Sequence, residues 1–116
     1  MREYNIPELQ DMIRDYANKS IKAKEKCFTT NEVVQRLEDI KLTRLEQIKS
    51  KFEGSESAKE RLARVDKEWL DLLELMSETR VDANRAKLEF FTAERLWETS
   101  RTLLSTKRTE LNQLNQ

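Results

Sequence analysis

Apolar residues recur every three or four positions over the second half of the chain, from Leu62 to Leu114. The first positions of successive heptads are Leu62, Trp69, Met76, Ala83, Phe90, Trp97, Leu104 and Leu111. The fourth positions are Val65, Leu72, Thr79, Ala86, Ala93, Ser100, Lys107 and Leu114. A 3.5-residue repeat keeps one seam of a helix on a partner helix, so the pattern predicts one long helix over about residues 57–113. A break within Ser77–Asn84, where helix propensity is low, would give four helices instead; the unbroken repeat favours continuity.

A shorter helix is predicted upstream, over about residues 6–27. Asn5 can cap it, with Glu8 three residues later as the partner of a capping box. Pro7 lies in the first turn, where its missing N–H has no intrahelical partner to lose. Apolar residues at helical spacing between Leu9 and Tyr16 predict that this helix packs on the outer part of a helical hairpin formed by the rest of the chain, or on a second chain.

Two further boundaries are predicted from turn and cap residues. Thr29 and Glu32 form a second capping box, which predicts a new helix over about residues 30–53; the alternative is one continuous helix that bends near Thr29. Gly54 suits a left-handed conformation at the end of that helix, and Ser57 with Glu60 can cap the next one. The second and third helices would then form an antiparallel hairpin.

The predicted fold class is all-α. It is an antiparallel helical hairpin or coiled coil with a long C-terminal helix and an additional N-terminal helix, in a single domain of residues 1–116. Charged residues are 38% and hydrophobic residues 37% of the chain, with one Gly and one Pro. This balance is typical of long amphipathic helices, and turn residues are too few for a β sandwich or barrel.

The composition offers little catalytic chemistry. There is no His and a single Cys, Cys27, so a Glu-x-x-His di-metal bundle is excluded and the thiol lacks a His partner. No Gly-rich phosphate loop exists. We therefore expect no enzyme activity, no metal, no cofactor and no small-molecule substrate. A lone cysteine favours a reducing, cytoplasmic location, and no apolar run approaches the length of a membrane span.

Nucleic-acid binding is an open alternative. Lys and Arg total 22, as do Asp and Glu, and a net charge of zero argues against a general polyanion binder. The candidate phosphate contacts are Lys19, Lys22, Lys24, Lys26, Arg101, Lys107 and Arg108. The four lysines also fit a helix C-terminus, where they complement the dipole, and this explanation is favoured. Trp69, Phe90 and Trp97 lie on the seam and are expected in a core, whereas Phe91 lies off it and is the better candidate for an outside contact.

Self-association is predicted from the length of the second helix. That helix can cover the long one only as far as about Ala83. The first helix could cover some of the remaining seam, but its apolar stripe is short and fades after Tyr16, so another partner is expected there. The predicted interface consists of Ala83, Ala86, Phe90, Ala93, Trp97, Ser100, Leu104 and Leu111. We expect a homodimer first, or a higher oligomer, with Phe90 and Trp97 as anchors, because small neighbouring residues allow close packing of helices.

One segment resembles a known group of proteins. Its residues are Glu53-Gly54-Ser55, Ala58, Glu60-Arg61, Ala63, Trp69, Trp97 and the stretch from Arg101 to Arg108. Over about residues 41–108 the chain resembles small helical accessory proteins of tailed bacteriophages and prophages, often encoded beside single-strand annealing and single-strand DNA-binding proteins. The resemblance implies a setting, phage DNA metabolism or host-defence evasion in a bacterial cytoplasm.

The expected function is a non-enzymatic α-helical protein–protein interaction module. It would act in DNA recombination or replication, or in host-defence evasion, through a protein partner. The alternatives are a direct DNA-binding accessory protein and a structural coiled-coil component of a virion or scaffold.

Overall fold

The structure, a computed structural model, describes residues 3–115, and these residues fold into three α-helices. α1 spans Ile6–Lys49, α2 spans Glu56–Arg64 and α3 spans Lys67–Leu114. The described residues contain no strand. The predicted all-α fold, in which long helices pack as an antiparallel hairpin, is confirmed.

The start of α1 follows its predicted cap. Asn5 Oδ1 accepts a hydrogen bond from the backbone N–H of Glu8 at 2.8 Å, and Asn5 Nδ2 donates to Glu8 Oε1 at 2.9 Å. Pro7 lies in the first turn. The cap satisfies one of the backbone donors that a helix leaves unpaired at its N-terminus.

The predicted boundary between a first and a second helix is wrong, because α1 runs without interruption through residues 28–33. Its inward positions continue across that stretch at steps of three and four. They are Leu9, Ile13, Tyr16, Ser20, Ala23, Cys27, Thr30, Val34 and Leu37, all buried or half-buried. A break at Thr29 would turn one half of this seam away from α3, so packing along the helix outweighs the local capping box. The alternative of a continuous helix is the correct one.

The predicted start of the long third helix is also wrong, since α2 and α3 are separate helices. Ser55, and not Ser57, caps α2: its Oγ accepts from the backbone N–H of Ala58 at 3.2 Å. α2 ends at Arg64, with Val65 as its C-cap, and Asp66 then caps α3 by accepting from the N–H of Glu68 at 2.9 Å.

Because of the break between α2 and α3, the first heptad of the predicted seam does not face inward. Leu62 and Val65 were predicted to face inward, but both are exposed, whereas Ala63 is fully buried. From Trp69 to Lys107 the predicted heptad holds, whereas its last apolar positions, Leu111 and Leu114, are exposed; α3 is continuous through Ser77–Asn84. The favoured reading of that stretch is therefore confirmed, and the four-helix alternative that places a break there is wrong.

Gly54 lies in the connection between α1 and α2 with φ of 122°. The predicted need for a positive φ is therefore confirmed, although α1 has already ended at Lys49 and the glycine directly precedes the Ser55 cap. A Cβ at this position would meet only the Cβ of Ala58, at 3.6 Å, which is an ordinary contact. The backbone conformation, and not lack of space, is what favours glycine here.

The tertiary contacts group the chain into two compact units. The unit of residues 28–84 holds the second half of α1, all of α2 and the beginning of α3. Its core consists of Leu45, Ile48, Ala63 and Trp69, with Phe52 and Leu72 packed against them. In this unit Lys49 pairs with Glu56 at 2.8 Å, Lys51 with Glu68 at 2.6 Å, and Arg80 with Glu38.

The second unit joins residues up to 27 with residues from 85 onward. Here the first half of α1 packs antiparallel on the second half of α3. Its buried side chains are Leu9, Ala86, Ala93, Ser100 and Leu104. The buried Ser100 hydroxyl donates to the carbonyl oxygen of Leu96 at 2.8 Å, so its polar group is satisfied within α3. The predicted single domain stays a prediction.

Candidate functional site

Most of the predicted self-association seam is covered within one chain. Ala86, Ala93, Ser100 and Leu104 are buried in the unit that contains the first half of α1, and Ala83 is buried in the other unit. Phe90 and Trp97 are half-buried, and Leu111 is exposed.

The reason for expecting a homodimer at this seam is therefore wrong. α1 is nearly twice as long as the predicted second helix, so its first half reaches the part of α3 that seemed to need another chain. The homodimer itself stays a prediction, but an uncovered seam on α3 no longer supports it.

The structure brings three of the four candidate lysines together. Lys19, Lys22 and Lys26 line one groove on the surface between α1 and α3, whereas Lys24 does not. The spacing explains this division: residues three and four apart lie on one helix face, and Lys24 points away from that face. We call this feature the lysine groove.

The lysine groove has a volume of about 580 Å³ and a largely apolar floor. Its lining is Tyr16, Lys19, Lys22, Ala23 and Lys26 from α1, and Leu88, Glu89, Thr92, Ala93 and Leu96 from α3. The Nζ of Lys19 lies 5.4 Å from the centre of the Tyr16 ring, within the range of a cation–π contact. The Nζ of Lys26 lies 3.2 Å from Glu89 Oε2, so one lysine is neutralised by the opposite wall.

The second group of candidate basic residues lies outside the lysine groove. The guanidinium carbon of Arg101 lies 4.7 Å from the centre of the Trp97 ring. Lys107 is half-buried and lines another pocket with Tyr4 and Leu9, and Arg108 is exposed. Arg101 therefore covers an aromatic side chain, a structural role that does not require a phosphate.

Next to the lysine groove, large apolar side chains on α3 are exposed. Leu88, Phe91 and Leu96 are 66%, 53% and 40% accessible, and they line one depression on the helix surface. We call these three residues the apolar patch. The Phe91 ring packs beside that of Phe90, with centres 6.0 Å apart, and the Nζ of Lys87 lies 5.9 Å from the Phe91 ring centre.

Sequence reasoning identified Phe91 as a candidate outside contact but missed Leu88 and Leu96. Both are large apolar residues off the heptad seam, a signal that they share with other exposed apolar residues of α3, such as Leu70, Leu75 and Val81. Leu88 and Leu96 line both the apolar patch and the lysine groove, so the two features form one continuous surface.

Other chemistry is sparse in the part of the chain that the structure describes. Within residues 3–115, no group of three or more His, Cys, Asp or Glu side chains is placed to hold a metal ion. Cys27 is half-buried and forms no disulfide. None of the three described helices has an apolar run long enough to cross a membrane.

Comparison of the chain with protein-family models, with curated proteins and with solved structures gives no match.

Proposed function

We propose that the chain is a non-enzymatic α-helical interaction module that binds another protein through the apolar patch. The observation that carries this proposal is the exposure of Leu88, Phe91 and Leu96 in one depression on α3, which polar and charged side chains also border. Scattered exposed apolar residues are ordinary on a protein surface, but contiguous ones mark interaction sites. Fully burying a large apolar side chain from water is favourable by about 1.5–3 kcal/mol. The three side chains of the patch are already partly covered, so each would contribute a fraction of that value when a partner binds.

The biological setting belongs to the proposal and rests on the resemblance to phage accessory proteins. In that setting the partner would be a protein of DNA recombination, replication or host defence. A role as a structural coiled-coil component of a virion or scaffold uses the same kind of surface, and presence of the chain in purified particles would distinguish it.

Direct DNA binding is a second candidate, and Lys19, Lys22 and Lys26 on one groove favour it. Two features weaken it. Glu89 lies on the opposite wall and already pairs with Lys26, and a carboxylate repels phosphate. The floor between the lysines and α3 is also apolar, which offers nothing to a phosphate backbone.

The test compares capture of proteins from cells that express the gene by three forms of the full chain: the natural protein, Phe91→Asp and Val81→Asp. Val81 is an exposed apolar residue of α3 outside the patch, so Val81→Asp controls for placing a carboxylate on that helix. Each protein that depends on Phe91 is then purified and its dissociation constant is measured against all three forms.

A partner that binds through the patch should lose about tenfold to a hundredfold in affinity on Phe91→Asp and little on Val81→Asp. The proposal is rejected if no captured protein distinguishes the two variants.

The DNA-binding candidate is tested in parallel by fluorescence anisotropy with labelled single- and double-stranded DNA. Binding to DNA that falls steeply with salt, together with no patch-dependent protein, would support the DNA-binding candidate instead.

A further inference from the structure

We propose that the lysine groove holds an acidic amphipathic α-helix of the partner. This inference rests on the proposed function, because it names the chemistry of the segment that would seat beside the apolar patch.

The first argument is the alignment of charge along α1. Lys19, Lys22 and Lys26 follow one another at steps of three and four residues and line the same groove. They therefore form a row along α1 that spans about 10 Å, or two helical turns. A second helix lying along α1 presents its own side chains at the same steps, so Asp or Glu at positions i, i+3 or i+4, and i+7 would meet this row.

The second argument is the shape and chemistry of the floor. Ala23 and Ala93 are inward-facing residues of α1 and α3 that line the groove between the two helices, and the more exposed Leu88 and Leu96 line it on α3. Alanines let another helix approach closely, while the exposed leucines offer apolar surface to its large side chains. The occupant must therefore be apolar on one face and acidic beside it, which describes an amphipathic helix.

The third argument is that the charge of the lysine row is not fully balanced within the groove. Glu89 is the single acidic residue of the lining, and it pairs with Lys26. The positive charge offered to an occupant therefore comes mainly from Lys19 and Lys22. Complementary charge of this kind raises the association rate and selects the partner more than it raises affinity.

A helix fits the groove better than an extended peptide or a nucleic acid. Extended peptides commonly bind by adding a strand to a sheet edge, and residues 3–115 contain no strand. A nucleic acid would place phosphates over an apolar floor and near Glu89. A third helix instead buries that floor and keeps its carboxylates within reach of Lys19 and Lys22.

The experiment is a selection of displayed, helix-biased peptides of about 20 residues, a length that spans about 30 Å as a helix, on the full chain. The peptides that are enriched are synthesised, and their dissociation constants are measured against four forms of the protein. These are the natural chain, the double variant Lys19→Glu with Lys22→Glu, the single variant Leu96→Asp, and the control Lys24→Glu. Lys24 lies on the same helix but outside the groove.

Enriched peptides should carry Asp or Glu at steps of three and four beside large apolar residues. The double variant Lys19→Glu with Lys22→Glu should lower the affinity of these peptides by at least about tenfold. Each exposed ion pair contributes up to about fivefold in affinity, and charge reversal adds repulsion. Leu96→Asp should weaken them by a similar factor through the lost apolar contact, and Lys24→Glu should leave the affinity within about twofold.

Three results would overturn the inference: no enriched peptide, enriched peptides without the acidic pattern, or an equal loss with Lys24→Glu. Single-stranded oligonucleotide binding that depends on Lys19 and Lys22, with no enriched peptide, would also overturn it. If a captured partner depends on Phe91 but not on Lys19 and Lys22, the proposed function stands and only this inference fails. If no captured protein depends on Phe91, the proposed function itself fails.

Discussion

Lys26 and Glu89 form an ion pair across α1 and α3, with Nζ 3.2 Å from Oε2. Each directly precedes a seam residue, Cys27 on α1 and Phe90 on α3, so the pair lies on one flank of the seam and borders the lysine groove. Both side chains are more than half exposed, and such a pair is worth only about 0–1 kcal/mol. The register of the two helices is therefore set by the buried seam, and the ion pair is a consequence of that register.

The continuity of α1 can be tested with proline. Thr30→Pro should lower the free energy of unfolding by about 3 kcal/mol or more, because position 30 lies inside α1 and proline removes a helical hydrogen bond there. If a new helix instead began after a cap at Thr29, proline would occupy its first position and would be tolerated. Urea unfolding followed by circular dichroism measures the difference.

The control for this change is Thr30→Ala, which shortens the same side chain and leaves the backbone donor in place. Equal stability of the proline and alanine variants would contradict a continuous α1.

Gly54 should be needed for its backbone conformation. Gly54→Ala should lower the free energy of unfolding by about 1–3 kcal/mol, because a φ of 122° is strained for any residue with a Cβ. Glu53→Ala, in the same connection, is the control and should have little effect. A thermal melt in which both variants match the natural protein would show that the connection adopts another conformation.

Ala86 should be sensitive to size in a way that does not depend on protein concentration. It is fully buried within one chain, so Ala86→Leu should overpack that site and cost about 1–3 kcal/mol. Arg85→Leu, at the exposed neighbouring position, is the control. Thermal unfolding at low and high protein concentration is the measurement.

An interface between chains would behave differently, because oligomers gain apparent stability as concentration rises. If the loss of stability on Ala86→Leu changes with protein concentration, Ala86 lies at an interface between chains, as the predicted homodimer requires.

Acid should weaken the junction of α1 and α2. The hydrogen bond from Lys49 to Glu56 lowers the pKa of the Glu56 carboxyl from its ordinary value of 4.5, and the hydrogen bond from Arg64 lowers the pKa of Glu60 in the same way. A carboxyl whose pKa is lower in the folded state stabilises that state above its unfolded pKa. This contribution is lost as pH falls through the folded pKa.

The measurement is urea unfolding of the natural protein and Glu56→Gln from neutral pH to below 4.5. The natural protein should be the more stable of the two at neutral pH, and the difference should vanish at the acid end. Glu53→Gln is the control. A difference that persists unchanged in acid would show that the Glu56 carboxylate is not its source.

Sequence reasoning located the features that depend on local chemistry. The Asn5 cap, the positive φ of Gly54 and the heptad from Trp69 to Lys107 follow from residue type and spacing, and the structure contains all three. Periodicity alone also predicted that α3 continues through Ser77–Asn84, because packing of a long amphipathic face outweighs modest losses of helix propensity.

Only the tertiary structure decided between competing local signals. Thr29 and Glu32 could form a capping box, and Asp66 can also cap a helix. α1 nevertheless continues through Thr29 without a break, whereas α3 begins directly after Asp66. At Thr29 a continuous seam from Cys27 to Val34 packs against α3, whereas at Asp66 the chain must turn so that Ala63 and Trp69 enter one core.

The candidate site depends on the same decision. Because α1 is continuous, its first half covers the seam of α3, and the row of lysines comes to lie beside Leu88 and Leu96. The sequence by itself determined which residues are apolar and which are charged. Which of them share a surface was decided by helix length and register, since those set which faces of two helices meet.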